Sequence, residues 1–322
     1  MEKKEHLRHK ASHTKIEDSP KKSEKNQGLK QKITNIYTKK YKKLMIIPNV
    51  VLIISFAILF FNFFTTGEFI QKGVSLSGGV SITISSPTLK ATDVQSYLKS
   101  TYPKSDVEAR TLSGAGEQKG IIIEASGIDS ETLQKEINTK FGLTNRDYTV
   151  EVTGSSLGQS FYKQLIIAVI IAFLLMGIVV YVYYRVLVPS LAIILAAFSS
   201  MITTLAIISI LDMKITGASI AAFLMLIGYS IDTDILLTTR VLRRKEGTVD
   251  ERVFSAIRTG LTMSAAALAS VLVTLIFTHS EVLKQIMLVL LIGLICDLIY
   301  TWIQNVGLLK LYLEKKGELK NE

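Results

Sequence analysis

The chain has 322 residues, of which 48% are hydrophobic and 20% are charged, and its formal net charge is +10. The hydrophobic residues are gathered in blocks of about 20, the length that crosses a hydrocarbon core, so the composition excludes an ordinary soluble domain. The single cysteine, Cys296, excludes an intramolecular disulfide and a metal cluster held by several thiolates. We expect Cys296 to be a packing residue.

Six apolar blocks predict a bundle of six transmembrane helices. They span approximately residues 44–64, 165–184, 190–211, 217–237, 261–278 and 286–309. The third, fourth and fifth blocks contain many small and hydroxylated residues, which allow neighbouring helices to approach closely and to hydrogen-bond. The expected division is a tail over 1–43, a first span over 44–64, an external domain over 65–160, five further spans over 161–310 and a second tail over 311–322.

The positive charge lies beside the apolar blocks rather than on a nucleic-acid-binding surface. Lysines and arginines crowd residues 39–43, the segment after the fourth block and the end of the chain, and Arg185 follows the second block. By the positive-inside rule these regions lie in the cytoplasm. We therefore expect a multi-pass protein of the cytoplasmic membrane with both termini in the cytoplasm, and no specific nucleic-acid partner.

The tail over 1–43 is rich in lysine and poor in aromatic residues, which is typical of disordered segments. The simplest interpretation is a solvated cytoplasmic tail. The alternative is attraction to anionic lipid or to ribosomal RNA, because a basic segment supplies the charge for either.

The residues between the first and second blocks predict a small α+β domain outside the cytoplasm. Alternating apolar residues indicate strands over 80–84, 106–112, 121–125 and 148–153, and helical periodicity indicates helices over 92–102 and 129–141. Asp129 or Ser130 is the expected N-cap of the second helix, and Gly142 is its expected C-terminal stop. The order βαββαβ is that of ferredoxin-like domains.

The motifs of known enzymes are missing from the sequence. The external domain has no histidine, no cysteine and no glycine-rich phosphate loop, and His279 stands alone beside the fifth block, where we expect a surface residue. No zinc motif or nucleophile elbow accompanies the acids of the spans. We therefore expect no enzyme, no cofactor and no metal site.

Three glycines, Gly73, Gly78 and Gly79, lie between the first block and the first strand. Glycine permits backbone conformations that other residues avoid, so this segment is either a tight turn into the domain or a binding loop. It is similar to the glycine pair after the first span in the SecD/SecF family of Sec translocation subunits. Ser75 and Leu76 stand where that family typically has Asp and Phe.

The fourth block contains two carboxylates, Asp232 and Asp234, although a charge near the middle of a bilayer costs roughly 2.5 to 3.5 kcal/mol. On a helix they project about 200° apart and lie about 12 and 9 Å below Arg240, so neither pairs with that arginine. One is expected to face the bundle or a partner subunit, and the other to bind a hydroxyl. Ser230 and Thr238 lie on the face of Asp234.

These acids have two interpretations. A buried carboxyl that takes up and releases a proton as water access changes would couple the protein to an ion gradient. Interhelical hydrogen bonds, worth about 0.6 to 2 kcal/mol each, would instead hold two subunits together. Asp297 in the sixth block either joins a polar network with Asp232 or Asp234 or makes a packing hydrogen bond to a threonine.

The motif Gly228, Tyr229 and Ser230, followed by the acids and Arg240, resembles the signature of the SecF branch of the SecD/SecF family. Residues 260–263 and 297–305 are similar to its archaeal members, and the resemblance extends over about residues 44–310. In bacterial members of this branch, the acid of the fourth span aligns with Thr233 of this chain, and an arginine of the fifth span aligns with Met263. The usual proton-relay pair is therefore not in its usual place in this chain.

The resemblance implies a member of the resistance-nodulation-division (RND) superfamily that acts as an auxiliary subunit of the Sec protein-translocation machinery. Its implied partners are SecD, a SecY-type channel, the exported polypeptide and the lipid bilayer. The alternative is a stand-alone RND-like secondary transporter of a small solute or lipid, which would need no partner.

Overall fold

The computed structural model describes residues 40–114, 117–144, 146–244, 246–278 and 280–318. Most of the basic tail predicted over 1–43, the surface position expected for His279 and the end of the second tail lie outside the described residues. Residues up to Leu44 form a separate unit, whose described part contains one short helix, α1 (Tyr41–Leu44).

A small antiparallel sheet of four strands follows the first long helix, α2 (Ile46–Thr66), and the one-turn helix α3 (Val74–Ser77). Its elements run in chain order as β1 (Gly79–Ile84), α4 (Ala91–Thr101), β2 (Asp106–Gly114), β3 (Glu117–Ser126), α5 (Ser130–Phe141) and β4 (Tyr148–Thr153). The order across the sheet is β2-β3-β1-β4, and every neighbouring pair is antiparallel.

The local sequence explains these elements. Side chains of β1 alternate between buried and half-buried positions, as expected for a strand with one face in a core. Asp129 is the N-cap of α5, because its Oδ2 accepts hydrogen bonds from the backbone N–H groups of Glu131 and Thr132 at 3.0 and 3.3 Å. The helix ends at Gly142, which has a left-handed φ of 65°.

The described residues after β4 form long helices joined by short connections. These helices are α6 (Ser155–Tyr184), α7 (Leu187–Ile210), α8 (Gly217–Arg243), α9 (Val249–Phe277) and α10 (Glu281–Ile299), which continues through a π-helical segment (Tyr300–Asn305) into α11 (Val306–Lys316). Six helices in the described part of the chain are long and apolar enough to cross a membrane. The prediction of six candidate membrane helices is therefore confirmed.

Two helices start well before the apolar blocks from which they were predicted. Helix α6 begins at Ser155 and α9 at Val249, whereas the blocks begin near 165 and 261. Helix α9 gains its extra turns from a capping box, in which Thr248 Oγ1 accepts from the backbone of Glu251 and the Glu251 carboxylate accepts from the backbone of Thr248. Hydropathy locates only the part of a helix that lies in hydrocarbon.

The glycines after the first span make a tight turn. Gly78 and Gly79 have φ values of 86° and 143°, which favour glycine. A Cβ on Gly78 would collide with the backbone of Ser155, and one on Gly79 would collide with the carbonyl oxygen of Ala125. Of the two interpretations of this segment, the geometry favours the turn.

At Gly260, helix α9 packs tightly against Trp302 of the π-helical segment. A Cβ there would overlap the ring of Trp302, which is buried, whereas a Cβ on Gly228 would meet nothing within 4 Å. We expect Gly260→Ala to lower the free energy of unfolding in detergent by about 1 to 3 kcal/mol, because the buried ring must move. Gly228→Ala is the matched control in a transmembrane helix, and equal losses in the two variants would contradict the proposed crowding.

Candidate functional site

Helix α8 is fixed at its N-terminal end by a capping box. The hydroxyl of Thr216 accepts from the backbone N–H of Ser219 at 3.4 Å, and Ser219 Oγ accepts from the backbone N–H of Thr216 at 3.2 Å. The helix then runs without interruption to Arg243. This continuous helix sets the directions in which Asp232 and Asp234 point.

The two acids of α8 lie on opposite sides of the helix. Asp234 is completely buried in the bundle, whereas Asp232 is exposed on its outer surface. The separation of about 200° expected from their spacing explains this difference. The Arg240 guanidinium binds neither acid, because its Nη1 donates to the carbonyl oxygen and hydroxyl of Ser255 at 2.6 and 2.8 Å.

Asp234 contacts an amide from the sixth span. Its Oδ1 accepts a hydrogen bond from Asn305 Nδ2 at 2.8 Å, and its Oδ2 has no hydrogen-bond partner among the described residues. The expectation that Ser230 or Thr238 would bind Asp234 is wrong, because Ser230 turns to Asp297 and the Thr238 hydroxyl makes no hydrogen bond within the described structure. Helical spacing identified the shared face but not the longer-range partner.

Asp297, on α10, accepts hydrogen bonds from two hydroxyls of α8. One comes from Ser230, and the other comes from Thr233 Oγ1 at 3.4 Å. The side chain of Thr301 lies beside both Asp297 and Asp234 without the geometry of a strict hydrogen bond. Both interpretations of Asp297 therefore hold in part: it binds a threonine, and it lies in one polar network with Asp234 but not with the outward-facing Asp232.

The sixth span contributes polar residues that the sequence did not single out. Thr301, Gln304 and Asn305 are almost fully buried in the π-helical segment, beginning one turn after Asp297. These residues follow Asp297 by four, seven and eight positions, and residues at such spacings share a helical face. This spacing could have identified them from the sequence as neighbours of Asp297. Short π-helical segments are frequent at functional sites. We call Asp234, Asp297, Thr301, Gln304 and Asn305 the buried polar cluster.

Several oxygens of the buried polar cluster have no hydrogen-bond partner in the described part of the chain. They are Asp234 Oδ2, Thr301 Oγ1, Gln304 Oε1 and Asn305 Oδ1. Buried polar atoms are normally paired, and exceptions often indicate an ion, a proton or a water at a functional position. Three of these oxygens, those of the Asp234 carboxyl and the two amides, are acceptors without a donor, which suits the binding of a proton or a small hard cation.

The motif Gly228-Tyr229-Ser230 is divided between two environments. Ser230 is buried against Asp297, whereas Gly228 and Tyr229 are exposed on the same outward side as Asp232. Met263 is also exposed and does not occupy the interior beside Asp234. Cys296 is buried within α10, as expected for a packing residue.

Comparisons with a family model and with individual proteins match this chain to the same family over most of its length. The family model "Protein export membrane protein SecD/SecF, C-terminal" matches residues 133–315. The chain is 37% identical over 288 residues to the protein-export membrane protein SecF of Pyrococcus furiosus, covering 89% of this chain and 96% of that one. It is 36% identical over 284 residues to SecF of Methanocaldococcus jannaschii, covering 85% and 96%.

Solved structures share the fold. The crystal structure of SecDF, a translocon-associated membrane protein from Thermus thermophilus, superposes with a TM-score of 0.70 at 16% identity, covering 87% of this chain and 38% of that chain. SecDF in a super-membrane-facing form gives a TM-score of 0.58 at the same identity, covering 88% and 40%. This chain therefore spans about two-fifths of either structure.

Proposed function

This chain belongs to the SecF branch of the SecD/SecF family of protein-export membrane proteins, and we propose that it is an auxiliary, non-enzymatic subunit of the Sec machinery that acts with SecD to promote polypeptide export. The likeness to SecF proteins over nearly their whole length carries the proposal. The similarity to part of SecDF supports a second six-span unit as the partner, with a SecY-type channel beside the pair.

The proposed arrangement follows the division drawn from the sequence. The tails 1–43 and 311–322 lie in the cytoplasm, the spans 44–64 and 161–310 cross the cytoplasmic membrane, and the domain 65–160 lies outside. The basic residues Arg185, Arg240 and Arg243 at one end of the spans support this orientation. The sheet order β2-β3-β1-β4, with two helices in the connections, supports a ferredoxin-like topology for the domain.

We propose that the buried polar cluster binds a proton or a small cation during export. Asp234 supports this role, because a completely buried carboxyl with an unpartnered oxygen is costly in a membrane unless it is protonated or binds a cation. Asp297 lies in the same network and gives it a second carboxyl. When the cluster binds the ion from one side of the membrane and releases it to the other, the favoured packing of α8 against α10 would change.

The outward side of α8 supports contact with a partner within the membrane. Ala221, Met225, Gly228, Tyr229 and Asp232 form an exposed stripe along it. A carboxyl that faces lipid is costly, and a helix can approach closely at Gly228, where an added Cβ would meet nothing within 4 Å.

Helix α9 continues this stripe with small and hydroxylated side chains. Arg240 of α8 contacts Ser255 of α9. Met263 lies eight residues after Ser255, and Asp232 lies eight residues before Arg240. Because the two helices are antiparallel, both residues lie about 12 Å from the contact between Arg240 and Ser255, on the same side of it. Around Met263 the exposed side chains include Thr262, Ala265, Ala266, Ala269 and Ser270, together with one bulky residue, Leu261. The exposed residues of α6, such as Ile170, Leu174 and Ile178, are bulky, as expected for lipid contact. We propose that the stripe and these residues of α9, together called the α8–α9 face, are covered by spans of SecD.

Purification in mild detergent tests the partnership. We expect a SecD-type six-span protein to co-elute with the chain, and removal of the chain to slow the export of secreted polypeptides in cells. Purification of the chain alone, with ion-driven transport of a small solute or lipid after reconstitution, would contradict the proposal and favour the stand-alone transporter.

A further inference from the structure

The segment between α7 and α8 holds the external domain through a buried lysine. Lys214 is 8% exposed, and its Nζ lies 2.8 Å from Asp106 Oδ2 and 3.2 Å from Glu108 Oε2, both on β2. Burial alone would lower the pKa of Lys214, but the hydrogen bond to Asp106 and the charges of Asp106 and Glu108 outweigh burial and raise the pKa above its ordinary value. The ammonium group is therefore charged at neutral pH, and the contact is a true ion pair.

The charges around this lysine form a small network on the sheet. Arg110 Nη2 lies 3.0 Å from Glu124 Oε2, and its Nε lies 3.6 Å from Glu108 Oε1. Arg110 therefore shares Glu108 with Lys214. Without the Lys214 charge, Asp106, Glu108 and Glu124 would have only Arg110 as a cation in this partly buried network. Electrostatics therefore favours the arrangement in which Lys214 lies against the sheet.

The backbone around Lys214 is bound to two further parts of the molecule. The N–H of Ile215 donates to the carbonyl oxygen of Gln71 at 2.8 Å, and the N–H of Gly73 donates to the carbonyl oxygen of Ile215 at 2.8 Å. Gln285 Nε2, in the first turns of α10, donates to the Lys214 carbonyl oxygen at 2.9 Å, and Thr216 Oγ1 donates to Gln285 Oε1 at 2.8 Å. One short segment thus joins the sheet, the linker after the first span, and the outer ends of α8 and α10.

Helices α8 and α10 also carry the buried polar cluster. Asp234 lies eighteen residues after Thr216 and Asp297 lies twelve after Gln285, which correspond to about 27 and 18 Å along the helices. No break in α8 or α10 separates these positions. A continuous helix transmits a displacement of its outer end to its inner residues, because packed helices move largely as rigid bodies.

We propose that Lys214 is a positioning residue that couples the external domain to the buried polar cluster, by holding β2 against the outer ends of α8 and α10. The proposal rests on the proposed function, and it adds that the external domain contacts the emerging polypeptide. A force on the external domain is then transmitted to Asp234 and Asp297 through the connection between α7 and α8, which contains Lys214. A change in the ion bound at those acids is transmitted to the domain through the same connection.

Export by reconstituted complexes with SecD and the translocation channel tests this coupling, with the rate divided by the amount of assembled complex. We expect Lys214→Met, which keeps the apolar stem and removes the charge, to lower this normalised rate by about three- to tenfold. The matched control is Lys316→Met. It removes an exposed ion pair with Glu318, of 2.8 Å, at the other end of the chain from β2 and its contacts, and we expect its rate to equal that of the unaltered protein.

A charge exchange separates coupling from a purely structural role. Lys214→Glu should lower the normalised rate, and adding Asp106→Lys should restore part of it, because the exchanged pair again joins the sheet to the segment although Glu108 then lies beside a second carboxylate. Asp106→Asn alone, at a residue whose side chain is 64% exposed, gives a well-folded variant with a smaller expected decrease.

Two results would overturn the proposal. One is an unchanged normalised rate in Lys214→Met, even where the total rate falls because less complex assembles, and the other is an equal loss of normalised rate in Lys316→Met. Failure of the unaltered protein to stimulate export is a different result, because it would refute the proposed function itself.

Discussion

Asp234→Asn is expected to reduce ion-gradient-stimulated export to the level measured without the chain, while the protein still folds and still binds SecD. The amide keeps the shape of the side chain and an oxygen for the hydrogen bond from Asn305, but it cannot take up or release a proton. Its new NH2 group takes the place of Asp234 Oδ2, which has no hydrogen-bond partner among the described residues, in a cluster whose other unpartnered oxygens include Gln304 Oε1 and Asn305 Oδ1. The free energy of unfolding should therefore change by no more than about 1 kcal/mol.

The measurement compares export in reconstituted vesicles with and without an imposed gradient, using proton and sodium gradients in turn. Asp232→Asn is the control, since it makes the same chemical change two residues away on the exposed side of α8. We expect Asp232→Asn to keep its response to the gradient. Full stimulation of export by Asp234→Asn would contradict ion coupling through the cluster, and dissociation of its complex with SecD would instead favour a structural role.

The sequence predicted the directions of the acids but not their partners. Helical spacing alone placed Asp232 and Asp234 on opposite sides of α8. It did not by itself say which faced inward, and the available signal was the hydroxyls of Ser230 and Thr238 on the face of Asp234, which the structure buries with it. Asn305, the partner of Asp234, lies 71 residues further along the chain. Such a pairing depends on how helices pack, which periodicity within one helix does not encode.

The external domain was easier to predict than its attachment. Period-two alternation located strands such as β1, and capping rules located both ends of α5, because these signals act over a few residues. Lys214 gave no such signal, since a single lysine between two apolar blocks is normally a solvated residue. Its burial comes from a contact 108 residues away, with Asp106. Only the tertiary structure joins them.

Asp232→Leu is expected to weaken the complex with SecD by about three- to thirtyfold in dissociation constant, the range expected for the loss of one interhelical hydrogen bond. Asp232 is exposed at a level of α8 where hydrocarbon would surround the single chain. Leucine suits hydrocarbon better than a carboxyl does, so the isolated chain should be as stable in detergent as the unaltered one, or more stable. The measurement is co-purification with SecD over a series of concentrations, together with thermal unfolding of the chain alone.

The combination of a weaker complex and an undamaged single chain would distinguish an interface residue from a residue of the core. Asp232→Asn is the conservative control, because it keeps hydrogen-bonding capacity on the α8–α9 face and should retain most of the affinity. Export by Asp232→Leu should fall only in proportion to the complex that is lost, since Asp234 and its partners are unchanged. An unaltered affinity would mean that SecD lies elsewhere, and export that falls further than the complex would place Asp232 in the ion pathway beside Asp234.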